Sequence, residues 1–192
     1  MTTHHNHNHN HNHNHIFNRY PIDPTLYVAD VAAIAFQAIE RYGVEEWRYA
    51  TLTCELHSHV GIYSLLGVKM GLRARETMVA DVGEMRVVSY AGNTPPISCL
   101  NDGLQVSTGS TLGHGLIEVA NNPTARAEAI FRMPQRELRL ALKQEHAEII
   151  NRELALAKAR HGMGQGYWNE IRRQAIKYWL EWDRTKIFDV IQ

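Results

Sequence analysis

Cysteine is scarce in this chain: Cys54 and Cys99 are the only two among 192 residues. Two thiols make no disulfide framework, and no four-cysteine zinc knuckle can form within one chain. An excess of either charge is missing too, because 20 basic residues face 20 acidic ones. That balance gives no electrostatic reason to expect nucleic acid or an anionic membrane surface as a partner. No apolar run approaches the ~20 residues that span a bilayer. The N-terminus also lacks the apolar region of a secretory signal, so a cytoplasmic location is expected, in keeping with unpaired thiols. The glycine-rich stretch 109–115 has no lysine to complete a phosphate loop, and no iron–sulfur or molybdopterin ligand pattern is present.

What is there begins with histidine. Residues 4–15 read HHNHNHNHNHNH and hold seven of the twelve histidines. An alternating His/Asn run has no apolar face to bury, so a disordered tail is expected over 1–15. Imidazoles such as those of His5, His7, His9, His11 and His13 suit Zn²⁺, Ni²⁺ or Cu²⁺. Two readings of the run stand open, a natural metal-buffering tail and an alternating affinity tag. No linker separates it from Ile16.

The remainder, at 44% hydrophobic and 21% charged overall, is ordinary globular sequence with enough length to bury a core. Apolar residues at helical spacing over 26–42, closed by Gly43, predict a first helix. Segment 48–56 (RYATLTCEL) alternates and is rich in Thr and aromatics, which predicts a strand. Helical spacing returns over 60–74, and 85–90 (MRVVSY) reads as a strand. A short helix is expected over 99–107, then strands over 115–120 and 127–133. Pro134 sits where a first-turn proline belongs, ahead of a long charged helix over 135–160. Gly162 to Gly166 break it, and a last helix over 167–183 carries Trp168, Ile171, Ala175, Tyr178, Trp179 and Trp182 on one face. Core packing or a subunit contact is the expected use of that stripe. These elements divide the chain into a tail (1–15), an α+β core (16–133) and a helical C-terminal extension (134–192).

Two segments carry chemistry. His57 and His59 lie one residue apart at an expected strand-to-helix junction, where an extended backbone would point both rings to one side. Such a pair can share one ion at about 2.0–2.1 Å, leaving positions for a thiolate and a water. Farther on, Cys99 opens a predicted helix, whose dipole favours its thiolate. Asp102, one turn later, can order a ligand or cap the helix. Two exposed loop histidines with no shared task, and a small buried cysteine, are the plainer readings of the same residues.

Both segments resemble the signatures of the FmdE family, whose name comes from the operon of formylmethanofuran dehydrogenase. The first signature, H-G-H-x-C-P-G followed by leucine-glycine and a basic residue, corresponds to His57-Ser58-His59-Val60-Gly61-Ile62-Tyr63 and then Leu66-Gly67-Val68-Lys69. The second, C-x-x-D-A-I-Q-x-x-T-G-C-T-x-G-K-G, is matched without a gap by Cys99, Asp102, Leu104, Gln105, Thr108, Gly109, Thr111, Gly113 and Gly115. The departures include Gly61 and Ser110 in place of family cysteines, Ile62 in place of the proline, Tyr63 in place of the glycine after it, and His114 in place of the lysine. The resemblance extends over about 25–133 and leaves the C-terminal helices outside it.

The resemblance implies an α+β fold of helices packed on a mixed sheet, a homodimer, and a metal site at His57, His59 and Cys99, with His114 as a further ligand or neighbour. Three functions follow as expectations. One is an accessory protein that takes up Zn²⁺ or Ni²⁺ and hands it to a metalloprotein client. Another is a metal-dependent enzyme on a small molecule, with Glu55 or Asp102 as base for metal-bound water. The third is a metal-free dimeric interaction module.

Overall fold

Burial overrides local propensity in the segment before the histidine pair. Residues 48–56 are not a strand but the end of a helix. The computed structural model describes residues 16–121 and 124–191; the His/Asn run, with His5, His7, His9, His11 and His13, lies outside them. A 3₁₀ turn at Pro24–Leu26 leads into α1 (Ala29–Ala32) and α2 (Ala35–Leu56). Within α2, Gly43 adopts φ 86°, ψ 163° and breaks the helix into two runs at the expected stop, but the helix resumes at once. Trp47, Ala50 and Thr51 are buried with Cys54 packed beside them, an i, i+3, i+4, i+7 stripe that seats the second run on the core. Thr and aromatic residues favour strands, but that preference is weak against such a stripe.

Helix α3 (Ile62–Met78) runs through the centre and is buried on nearly every side from Ile62 to Leu72. Strand β1 (Arg86–Ser89) follows, then a 3₁₀ turn at Ile97–Cys99, α4 (Leu100–Thr108) and β2 (Ile117–Val119). The hairpin of β3 (Glu128–Met133) and β4 (Arg136–Leu142), the helices α5 (Gln144–His161) and α6 (Gln165–Glu181), and β5 (Phe188–Ile191) complete the chain. The sheet order is β2-β1-β3-β4-β5, with β1 and β2 parallel and every other pair antiparallel. The described residues thus form an α+β protein of six helices on a five-stranded mixed sheet.

The helix expected over 135–160 is in fact β4 followed by α5. Leu138 and Leu142 satisfy a helical period and a strand period alike. Leu140, 0% exposed between them, decides for alternation. Pro134 and Gln135 (φ 64°) form the hairpin turn between β3 and β4. Residues after 133 therefore add two strands to the sheet as well as two helices. In α6, Ile171, Ala175, Tyr178 and Trp179 are buried, which answers the aromatic stripe with core packing. Trp168 alone of that stripe stays about half exposed, at 48%.

This topology positions the candidate site. The parallel pair β1–β2 is joined through α4, so the N-terminal end of α4 follows the carboxyl end of β1, the place where open α/β units put ligands. Helix α4 packs more extensively on α3 than any other pair of elements does on each other. That contact brings the start of α4 against the α2–α3 junction. Among the described residues, no helix is long and apolar enough to cross a membrane.

Candidate metal centre

His57 is the C-cap of α2, its N–H donating to the Thr53 carbonyl at 2.8 Å. Ser58 then takes a left-handed conformation at φ 63°, and Gly61 opens α3 in an extended one. The two rings meet because of this reversal and not because of strand alternation: their centroids are 4.2 Å apart, inclined by 40°. The glycine of the family signature falls at Ser58, where a left-handed backbone costs a side chain roughly 1 kcal/mol or more. Part of that returns as greater freedom of the unfolded glycine chain. Ser58→Gly should therefore raise Tm by roughly 1–2 °C. Ser58→Val should lower it, since a β-branched residue is an outlier at positive φ. Thermal unfolding of both variants, followed by circular dichroism, checks this.

Each histidine presents the same nitrogen. His57 Nδ1 lies 2.7 Å from Asp102 Oδ2. With the carboxylate as acceptor, the neutral ring carries its proton on Nδ1 and turns the Nε2 lone pair away. Nε2 is buried and has no partner. His59 Nδ1 lies 3.2 Å from the His57 carbonyl, which can only accept, so its Nε2 is likewise the bare nitrogen. Burial, and then the neighbouring His57, hold the His59 ring below its usual pKa, so it is neutral at pH 7. An imidazole oriented by a carboxylate, with the opposite nitrogen orphaned in the interior, is the arrangement that ligating histidines adopt. On that ground the residues present fit a borderline divalent ion at His57.

The other candidates fall around this pair unequally. Asp102 is committed to His57 as an orienting group. Cys99 is the N-cap of α4, one turn before Asp102 and partly buried. Its thiol is pushed up by burial and then by the Asp102 carboxylate, so the helix dipole does not make it a ready thiolate here. Among the described residues, no three side chains of His, Cys, Asp and Glu gather closely enough to hold an ion unaided. Cys99 is tied to the pair only through Asp102, one turn on along the same helix, and among the described residues no finished coordination shell joins its thiol to the two rings. Glu55 is exposed on the last turn of α2, beside a cavity that also reaches His59. His114 lies past the far end of α4, a helix about 13 Å long, exposed and with its N–H bonded to Thr111 Oγ1. The structure does not bring it to the pair within this chain.

Position 61 bears on the same nitrogen. A Cβ built on Gly61 would stand 3.3 Å from His57 Nε2 and 2.9 Å from Ser64 Oγ. The cysteine of the family signature would thus face the orphaned nitrogen, and its absence removes a soft donor from that spot. The second missing cysteine is different in kind. Ser110 is fully buried and donates to the Met85 carbonyl at 2.7 Å, a role in the fold. So are those of Thr108, whose Oγ1 bonds Leu104 O at 2.6 Å, and of Gly109, which caps α4 at φ 70°. Gln105 Oε1 accepts from Leu112 N at 3.0 Å. The second signature therefore splits into a chemical half at Cys99 and Asp102 and a helix-ending half from Gln105 onward.

Two residues near the pair carry no signal in the local motifs. Trp168 meets the His59 ring edge-on at 6.1 Å. Arg172, one turn on, holds Asp30 through two bonds of 2.6 and 2.8 Å, tying α1 to α6. Trp168 belongs to the apolar stripe of α6, where core packing is the expected use, and Arg172 stands beside that stripe. Cys54 is partly buried against the core, where desolvation pushes its thiol up to about 12, so it is a poor nucleophile where it lies.

What the fold and the site define is an α+β protein with a carboxylate-oriented histidine pair at the mouth of a βαβ unit. The family model described as FmdE, molybdenum formylmethanofuran dehydrogenase operon, matches residues 56–189, most of the chain, and the protein belongs to the FmdE family. The match begins beside His57 and runs through α5 and α6, so the C-terminal helices lie inside the family region and not outside it as expected. A comparison with curated proteins returned no match.

Proposed function

We propose that this protein binds a divalent transition metal, Zn²⁺ or Ni²⁺, through His57 and His59 with Cys99 as a third donor, and serves in metal uptake or delivery. The observation that carries this reading is the orphaned, buried Nε2 of His57 opposite a 2.7 Å bond to Asp102. An open shell suits a protein that must give its ion up, because vacant positions let an acceptor's ligands enter. The family's description ties it to the operon of a molybdenum enzyme, which supports an accessory role toward a metalloprotein client. Two unpaired cysteines support a cytoplasmic location. Large apolar side chains exposed at Leu26, Val28 and Phe36 support a homodimer.

The test is elemental analysis of the chain without residues 1–15, purified away from metal-affinity media. About one ion per chain, lost in His57→Ala and reduced in Cys99→Ala, is expected. Asp102→Asn should weaken affinity roughly 10- to 100-fold, as loss of an orienting carboxylate does elsewhere. No retained metal in the parent chain defeats the reading and leaves a metal-free interaction module. A second reading, a metal-dependent enzyme on a small molecule, is favoured by the cavity beside His59, with Glu55 on its rim as the available base. Rapid transfer to an apo-acceptor distinguishes delivery from catalysis, which needs the ion retained.

A further inference from the structure

Five of the twelve histidines lie outside the run at 4–15: His57, His59, His114, His146 and His161. Only two of the five meet. His114 stands past the far end of α4, His146 packs edge-on against Trp182 at 4.7 Å, and His161 ends α5 with its ring against Gly166. The pair thus offers an ion two imidazoles, and among the described residues no group of three ligating side chains forms. A tetrahedral ion takes four ligands, so even with Cys99 as third donor one position stays open. Position 61, a cysteine in the family signature, is glycine here and donates nothing.

A further donor can approach from one side. His57 Nε2 is buried, whereas the His59 ring is exposed and stands on the rim of a cavity of about 830 Å³. The wall of that cavity is also where the chain emerges from the histidine run. Tyr20 and Pro21 line it, with Tyr20 bonded to Thr51 on α2 at 2.8 Å and Phe17 packed edge-on against Tyr20 at 5.9 Å. Phe17 lines a hollow together with Tyr49, which precedes His57 by eight residues of helix, about 12 Å along the axis. Covering ~12 Å takes about four residues of extended chain, and fifteen residues reach up to ~50 Å. His13 and His15 are too close to Ile16 for that span, and His4, His5, His7, His9 and His11 have the length.

We propose that a histidine between positions 4 and 11 coordinates the ion held by the folded pair, entering on the His59 side and completing the shell within the same chain. The inference rests on the metal-binding reading and adds to it the residue that fills the open position. A tethered imidazole acts at an effective concentration in the millimolar range, so run and pair together hold an ion more tightly than either does alone. Release of that one imidazole reopens the position to the ligands of an acceptor.

Competition for Zn²⁺ against a chromophoric chelator tests this on three forms of the full-length chain. They are the parent, a variant with all seven histidines of the run changed to Asn, and His57→Ala/His59→Ala. The first isolates the joint site, the second the folded pair and the third the run. Two independent sites would give the parent a first-ion association constant equal to the sum of the other two. A shared ion should make it at least about tenfold larger than that sum. Restoring His5, His7, His9 and His11 to the Asn variant should recover most of the difference, and restoring His13 and His15 should recover little. Should the double alanine variant fail to fold, His59→Ala alone, whose ring is exposed, takes its place. A parent constant equal to the sum, or recovery through His13 and His15 instead, overturns the proposal. The two readings fail differently. An Asn variant that holds one ion as tightly as the parent defeats this inference alone. An Asn variant that holds none, with a parent indifferent to the loss of His57 and His59, defeats the metal-binding reading as well.

Discussion

Gly103→Ala should destabilise the protein by about 3 kcal/mol or more, lowering Tm by roughly 6–12 °C. The seam between α3 and α4 is closed backbone to backbone. A methyl on Gly103 would fall on the Ser64 carbonyl oxygen and stand 2.5 Å from the Val68 nitrogen. Opposite it, a methyl on Gly67 would fall on the Leu100 carbonyl oxygen and stand 3.0 Å from the Gly103 Cα. Neither obstacle can rotate away, so the helices must separate and the contacts between them are lost. Gly71 offers an internal contrast, because there the nearest obstacle is the Ser107 hydroxyl, a side-chain atom. Gly71→Ala should be partly rescued by Ser107→Ala, and no trimming of side chains should rescue Gly103→Ala. The seam also fixes the site, since Asp102 and His57 stand on opposite sides of it, 2.7 Å apart. A Gly103→Ala protein with unchanged Tm would mean that α3 and α4 do not approach as described. The alanine carried at this place by the family signature does not fit here unless the two helices stand farther apart.

Much of this seam was legible in the sequence, although its purpose was not. Gly67 and the run from Cys99 to Gly115 stand out as motif, and helices over 60–74 and 99–107 follow from apolar spacing. Close approach of glycine backbones, however, is a property of two segments 36 residues apart and leaves no local pattern. The errors elsewhere have a common physical cause. Segment 48–56 satisfies an alternating pattern and a helical stripe together, and 138–142 does the same through Leu138 and Leu142. Periodicity cannot separate the two when a window is this short, and tertiary burial decides. Strand β5 is an edge element of four residues, half of it exposed apolar, with too little pattern to announce itself.

The site was legible to a similar degree. His57, His59 and Asp102 converge because a signature names them, but the means of convergence differs from the expected one. A helix C-cap and a left-handed Ser58 bring the rings together, and an H-x-H string holds no information about that turn. Asp102 takes up one of the roles the sequence offers it. There it can order a ligand, cap the helix or serve as base; in the fold its carboxylate is spent on orienting His57 Nδ1. Arg172 and Trp168 were illegible because their significance arises only when α6 folds back across some 110 residues onto the α2–α3 junction.

Glu46→Met should cost about 3–5 kcal/mol, more than Lys69→Met, and the double variant should recover most of the loss. Lys69 is the basic residue of the first family signature, yet it is 2% exposed and far from any role in solvent. Its Nζ lies 2.7 Å from Glu46 Oε1 and 4.0 Å from the centroid of the Tyr42 ring. Glu46 is 1% exposed, and its other oxygen accepts from Arg184 at 2.9 Å, with Arg184 also held by Glu76 at 3.0 Å. One carboxylate on α2 thus serves two cations, one from α3 and one from the chain after α6. Removing it leaves the Lys69 ammonium in the interior with only an aromatic face for company. Removing Lys69 leaves Glu46 still paired with Arg184, hence the asymmetry. Burial already pulls the Lys69 pKa below its usual value, with Glu46 pulling it back up. In Glu46→Met that restoring charge is gone, so the unfolded chain binds the proton more tightly than the folded one. The variant's stability should therefore rise as pH climbs from neutral toward ~10, where the unfolded lysine begins to lose its own proton. Urea unfolding of the two single variants and the double, at pH 7 and again at a more alkaline pH, measures both the coupling and the slope. Equal losses in Glu46→Met and the double variant, with no dependence on pH, would show that the carboxylate holds the three segments by packing alone.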